Sequence, residues 1–111
     1  MITTHVLDTS LGQPAAGVSV ALEVLATGGG WTAVARGMTD ADGRIRELLP
    51  DARKSERRYR LVFDTAAYFS ARGVAAFYPV VMVVFDIADP AQHYHVPLLL
   101  SPFGYSTYRG S

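Results

Sequence analysis

Residues 93–111 read HYHVPLLLSPFGYSTYRGS, and this stretch carries the pattern that decides the fold. Side chains on a strand alternate between two faces. One face would hold the mainly apolar residues Tyr94, Val96, Leu98 and Leu100, which we expect to point into a core. The other face would hold His93, His95, Pro97 and Leu99. Proline favours a position near a sheet edge, and SPFG then predicts a turn into a final strand.

The same alternation recurs upstream, between turn signals spaced about ten residues apart. Two further apolar faces are Val18, Val20, Leu22 and Val24, and then Tyr59, Leu61 and Phe63. One helix is predicted over AAYFSAR, capped by Asp64 or Thr65 and ended by Gly73. The apolar run from Val74 to Phe85 is too short to span a membrane as a helix, and we interpret it as a buried strand. Seven or eight strands and one short helix predict an all-β sandwich forming a single domain, residues 1–111.

Composition excludes several classes of function. The 111 residues are half hydrophobic and carry ten basic and ten acidic side chains, so no overall field attracts nucleic acid or an anionic membrane. No cysteine is present, which excludes disulfides and thiol chemistry. The start, MITTHVLDT, lacks the features of a signal peptide, and we therefore expect a cytoplasmic location.

A basic run, RKSERRYR, occupies residues 53–60 and holds five of the ten basic residues. Such a run can bind phosphates, and interleaved aromatic residues can add stacking on single strands. Only Tyr59 is interleaved here, and the run leads into an apolar strand. We therefore interpret it as a solvated loop and expect no nucleic-acid partner.

The chemistry of the chain points to its three histidines, His5, His93 and His95, all of which are predicted to lie in strands. Three imidazoles can bind zinc and leave a position open for water. No carboxylate is evident as a supporting partner, so we expect no metal. Each histidine could instead be a hydrogen-bonded surface residue. No serine lies in a Gly-x-Ser-x-Gly context, which argues against a serine hydrolase.

Three segments together resemble a known family. TTHVLDTSLGQPAAGVSV (residues 3–20), TDADGR (39–44) and HYHVPLLLSPFGYSTYRGS (93–111) are similar to the 5-hydroxyisourate hydrolases, the transthyretin-related enzymes of purine breakdown. The resemblance covers essentially the whole chain, and the terminal Tyr-Arg-Gly-Ser is its most specific mark. Phe103 replaces an expected tyrosine, and the TGGG loop at residues 27–30 differs.

The resemblance implies a fold, an assembly and a set of site residues. The fold would be a transthyretin-like β-sandwich of two four-stranded sheets with one short helix. Two edge-to-edge dimers would form a homotetramer, with active sites between the dimers. No cofactor is implied. The catalytic residues carried over are His5, Arg44, His95 and Ser111, and the substrate-binding residues are His5, Arg44 and Tyr108. His93 would have a supporting role.

The implied reaction is the hydrolysis of 5-hydroxyisourate to 2-oxo-4-hydroxy-4-carboxy-5-ureidoimidazoline in urate degradation. Opening a ring amide needs a base for water, a partner for the oxyanion and an acid for the leaving nitrogen. We hypothesise that His5 and His95 transfer protons, that Ser111 holds this network, and that Arg44 orients the substrate. The α-carboxylate of Ser111 could join the network, and the neighbouring dimer would order the tail. The alternative is a non-catalytic, transthyretin-like carrier of small planar ligands.

Overall fold

The computed structural model describes residues 1–111 and consists mainly of β-strands. The strands are β1 (Ile2–Asp8), β2 (Gln13–Pro14), β3 (Ser19–Leu25), β4 (Trp31–Met38), β5 (Arg44–Leu49), β6 (Arg58–Phe63), β7 (Val81–Asp86), β8 (Tyr94–Ser101) and β9 (Gly104–Thr107). A 3-10 helix spans Asp51–Arg53, and helix α1 spans Thr65–Ser70. None of the helices has the length and apolar character needed to cross a lipid bilayer.

The strands form two sheets, as the sequence predicted. In the first, β1 pairs with β8 in parallel, β9 follows β8, and β2 and β5 share the other edge of β1. The second has the order β4-β3-β6-β7 and is antiparallel throughout. The first sheet has five strands rather than four, because the two-residue strand β2 pairs with the end of β1.

The two sheets share one hydrophobic core of 20 buried residues. Val6 and Leu98 from the first sheet and Leu22 and Leu61 from the second are fully buried. Leu98, Leu22 and Leu61 belong to the alternating faces predicted from the sequence. Burying one such side chain contributes about 1.5–3 kcal/mol, so the core fixes which face of each strand points outward.

Helix α1 lies in the predicted segment, but it begins at Thr65 and ends at Ser70, two residues before the predicted end at Arg72. Asp64 is the N-cap, and its carboxylate accepts a hydrogen bond from the backbone N–H of Ala67 at 3.1 Å. Gly73 follows the helix with φ +67°, the left-handed conformation expected there.

Two predictions about strands are wrong. The apolar run from residue 74 does not form one buried strand, since β7 begins only at Val81 and exposes alternate residues at the edge of its sheet. The expectation from Pro97 holds, because β8 lies next to the edge strand β9 and the β8–β9 ladder starts only at Leu98. His93 immediately precedes β8 rather than lying within it.

The basic run is only in part a solvated loop, since most of residues 53–58 are exposed but β6 begins at Arg58 and several side chains of the run have partners. The Lys54 side chain is buried, with Nζ bonded to Asp51 and to the backbone oxygen of Gln92. Arg58 forms a bidentate pair with Asp86, and Arg60 binds Glu23 at 2.6 Å. These partners hold neighbouring segments together, so most of the run serves the fold.

A buried carboxylate ties β1 to α1. Asp8 accepts hydrogen bonds from Tyr68 Oη at 2.7 Å, from the N–H and hydroxyl of Ser10, and from the N–H of Leu11. Burial raises the pKa of Asp8, but these hydrogen bonds outweigh burial and hold the pKa below its usual value. Burial and the bond to Asp8 raise the pKa of Tyr68 to about 12.

We expect Tyr68→Phe to lower the free energy of unfolding by about 1.5–3 kcal/mol at neutral pH, because it removes a hydrogen bond to a charged group. Urea unfolding measures the change. Tyr105→Phe is the matched control, since Tyr105 is 46% exposed. The difference should shrink as the pH falls through the depressed pKa of Asp8, where the carboxylate is protonated. Equal losses in the two variants would contradict the assignment.

Candidate active site

The outer face of the five-stranded sheet brings the predicted residues together. His5 on β1 lies directly opposite Arg44 on β5, and Thr3 on β1 lies opposite His95 on β8. Paired residues share a face of a sheet, and so do residues two apart on one strand. His5, Arg44, Thr3 and His95 therefore all point away from the core.

Arg44 is placed by the turn that precedes β5. Asp40 Oδ1 accepts hydrogen bonds from the N–H of Arg44 at 3.0 Å and of Asp42 at 2.9 Å. These bonds, led by the one from Arg44, lower the pKa of Asp40. Gly43 has φ +75°, and a Cβ there would collide with the carbonyl oxygen of Val6. The turn therefore requires glycine immediately before Arg44.

His95 is held from two sides. Its Nδ1 lies 2.7 Å from the hydroxyl oxygen of Thr3. On the other side the tail crosses the imidazole, and Gly110 N–H donates to the carbonyl oxygen of His95 at 2.9 Å. A Cβ on Gly110 would lie 2.5 Å from Cδ2 of the ring. The imidazole is thus packed against a backbone segment that only glycine can provide.

The tail is anchored within its own chain. The Arg109 guanidinium lies 4.6 Å from the centroid of the Tyr94 ring and donates to Gln92 Oε1 at 2.9 Å. The ordering expected from a neighbouring dimer is at least partly provided within the chain, because Arg109 and Gly110 have partners in β8 and in the residues just before it. Exposed Tyr108 and Ser111 are left at the surface.

Three of the predicted residues line one open cavity of about 220 Å³, namely Arg44, His95 and Ser111. Thr3, Arg46 and His93 also line it. His5 borders this group through its pairing with Arg44. Tyr108 is separate and lines a recess of about 270 Å³ with His95, Arg109 and residues of β7. His95 is the predicted residue common to both spaces.

The surroundings of His95 favour its neutral form. Burial lowers the pKa of His95 from its usual 6.5, and the charges of Arg44, His93 and His5 lower it further. The imidazole is therefore available as a base at neutral pH. No group of three or more His, Asp or Glu side chains is arranged to bind a metal ion.

Thr3 is the residue that sequence reasoning missed. It is only 8% exposed, and its hydroxyl contacts both His95 and His93. Its spacing of two residues from His5 does predict that both side chains lie on the same face of β1. Its contact with His95 depends on the parallel pairing of β1 and β8, which the sequence pattern does not reveal.

Comparisons with known proteins show the family of the chain. The model of the HIUase/Transthyretin family matches residues 2–110. The chain belongs to this family. A probable 5-hydroxyisourate hydrolase of Caenorhabditis elegans is 48% identical over 110 residues, which cover 99% of this chain and 80% of the relative.

Two solved structures of the family have the same fold. The 5-hydroxyisourate hydrolase of Klebsiella pneumoniae has a TM-score of 0.86 and 37% identity, covering 99% of this chain and 98% of that one. Sea bream transthyretin in complex with thyroxine has a TM-score of 0.93 and 39% identity, covering 98% and 93%. The fold is therefore common to a 5-hydroxyisourate hydrolase and to a transthyretin that binds thyroxine.

We expect Gly110→Ala to displace the His95 imidazole, because the new Cβ would lie roughly 1 Å closer to the ring than an ordinary van der Waals contact. The His95 ring resonances in an NMR spectrum should shift. Gly104→Ala is the matched control, since a Cβ there would meet only Ser101 Oγ, at 3.8 Å. Unchanged His95 resonances in folded Gly110→Ala would show that the contact does not position the ring.

The charge of Arg44 should be measurable at His95. Arg44→Gln removes a cation that disfavours imidazolium, so the pKa of His95 should rise toward 6.5. Arg44→Lys keeps the charge and should leave the pKa nearer that of the wild type. NMR titration of the His95 ring tests both, and an equal pKa in the two variants would contradict the electrostatic coupling.

Proposed function

We propose that the chain is an enzyme of urate degradation that hydrolyses 5-hydroxyisourate to 2-oxo-4-hydroxy-4-carboxy-5-ureidoimidazoline. The observation that carries this proposal is the half-buried His95, with a lowered pKa, beside Arg44 in an open cavity. Family relatives that are named 5-hydroxyisourate hydrolases support it.

In the proposed mechanism His95 accepts a proton from water through Nε2, and the water attacks the carbonyl carbon of the ring amide. Imidazolium then returns the proton to the leaving nitrogen, which opens the ring. Arg44 holds the carbonyl-rich substrate and stabilises the developing oxyanion with its planar donors. His5 lies opposite Arg44 and would complete the proton-transfer network.

Ser111 and Tyr108 have proposed roles at the borders of this site. Ser111 lines the cavity and would hold the water network. Tyr108 would form a wall against the substrate, although in one chain it lines the neighbouring recess. The reaction needs no metal or cofactor in this mechanism, because histidine and arginine supply the proton transfers and the charge stabilisation.

We propose that the active form is a cytoplasmic homotetramer, built as a dimer of dimers with the sites at the dimer–dimer interface. The edge strands β7 and β9 support an edge-to-edge dimer, because they expose Met82, Val84 and Tyr105. Such apolar edges are otherwise prone to uncontrolled pairing. A second chain would also cover the exposed Tyr108 at the tail.

The alternative is a carrier of small planar ligands. It is favoured by the close likeness to a transthyretin whose structure contains thyroxine. A carrier would show saturable binding of planar aromatic compounds without turnover, whereas the hydrolase would consume its ligand.

The deciding experiment generates 5-hydroxyisourate from urate with urate oxidase and follows its ultraviolet absorbance with and without the protein. Decay well above the spontaneous rate, unchanged by a chelator, supports the metal-independent hydrolase. Decay at the spontaneous rate both with and without chelator would contradict the proposal. Activity that the chelator abolishes would point instead to zinc.

We expect His95→Asn and Arg44→Ala each to lower kcat/KM by about 100-fold or more, because each removes a group that acts on the transition state. Their melting temperatures should stay close to that of the wild type, since both side chains lie outside the core. Arg36→Ala is the control, because Arg36 is exposed on the other sheet. Near-wild-type rates in folded His95→Asn and Arg44→Ala would refute the assigned roles.

A further inference from the structure

One hydroxyl group lies between two histidine rings at the edge of the cavity. Thr3 Oγ1 is 2.7 Å from Nδ1 of His95 and 3.3 Å from Nε2 of His93. The two rings are nearly parallel, at 14°, with centroids 6.4 Å apart. Thr3 is therefore placed to bond both rings at once.

The number of protons limits how this bridge can be arranged. A threonine hydroxyl has one proton to donate and two lone pairs to accept with, and a neutral imidazole has one donor and one acceptor nitrogen. If the Thr3 hydroxyl donates its proton to one of the rings, the bridge has two possible directions. In one direction, Nδ1–H of His95 donates to Thr3, and Thr3 donates to His93. In the other, His93 donates to Thr3, and Thr3 donates to Nδ1 of His95, which moves the His95 proton to Nε2.

Proton uptake distinguishes the two directions. Imidazolium is a donor at both nitrogens, so a protonated His95 must donate through Nδ1 to Thr3. Only in the first direction does Nδ1–H of neutral His95 already donate to Thr3 while Nε2 carries no proton. His95 can then gain and lose a proton at Nε2 without any rearrangement of its partners.

We propose that Thr3 is a positioning residue that fixes His95 in the Nδ1–H tautomer, with Nε2 unprotonated and available for proton transfer, and that His93 accepts the Thr3 hydroxyl proton. This inference rests on the proposed function, since it assigns a purpose to the tautomer of His95.

The groups around His95 are compatible with this direction. Arg44 and Arg46 on β5 line the same cavity, as do the two terminal residues Met1 and Ser111, and the charge of His5 on β1 also acts on His95. Burial lowers the pKa of His93, and neighbouring cations, Lys54 among them, lower it further. A neutral His93 retains the lone pair that the Thr3 hydroxyl requires.

The test reads the tautomer directly from the imidazole nitrogen shifts of the ¹⁵N-labelled protein at about pH 8, where histidine is neutral. Wild type and Thr3→Ser should show His95 protonated on Nδ1. Thr3→Val keeps the shape but removes the hydroxyl, so His95 should shift toward the Nε2–H tautomer that free histidine prefers.

Kinetics should follow the tautomer. Thr3→Val should lower kcat for 5-hydroxyisourate about 10- to 100-fold, part of what a general base contributes, with KM little changed. Thr3→Ser should restore most of the rate. Thr4→Val is the matched control, because the neighbouring hydroxyl bonds only the backbone oxygen of Val96, at 2.6 Å. This variant should lose stability but keep the His95 tautomer and kcat.

Two results would overturn the proposal. One is a wild-type protein in which His95 is protonated on Nε2. This measurement does not depend on whether any variant folds. The other is a Thr3→Val protein that keeps the Nδ1–H tautomer and a kcat within about twofold of wild type. If wild type shows the predicted tautomer but does not accelerate 5-hydroxyisourate decay, the proposed function fails while Thr3 still positions His95.

Discussion

The parallel pairing of β1 with β8 is the constraint on which the site depends. It joins segments about ninety residues apart and places Thr3 opposite His95 in an unbroken register from Ile2 to Asp8. The antiparallel β5 on the other edge of β1 then brings Arg44 to His5. A shift of the strand register by one residue would turn these polar side chains into the core and expose the apolar ones. The hydrophobic core therefore fixes the geometry of the polar face.

Local patterns in the sequence predicted most of the fold. Alternation identified the buried faces of β3, β6 and β8, and Asp64 and Gly73 marked the ends of α1. The errors arose where contacts with residues far along the chain determine the structure. The role of Lys54 depends on Gln92, which lies far along the chain. Family resemblance supplied Arg44, His95 and Ser111 as site residues, but no pattern within the chain indicated that Thr3 contacts His95.

The candidate site can vary without a cost to the fold, because its side chains project from the outer face of the sheet. This separation explains how a thyroxine-bound transthyretin and a hydrolase share one sandwich. The proposed chemistry depends on a few contacts that are specific to that face. Thr3 and Gly110 hold His95, and the turn at Gly43 sets Arg44 beside it. Charge and burial together then keep the imidazole neutral.

The most direct test of this account compares two pKa values for one group. The pH dependence of kcat/KM gives the pKa of the essential base in the free enzyme, and NMR titration gives that of His95. Our account predicts that both values lie below 6.5 and coincide, with activity lost as the pH falls through them. A kinetic value that differs from that of His95, or matches His5 or His93 instead, would contradict the claim that His95 is the base.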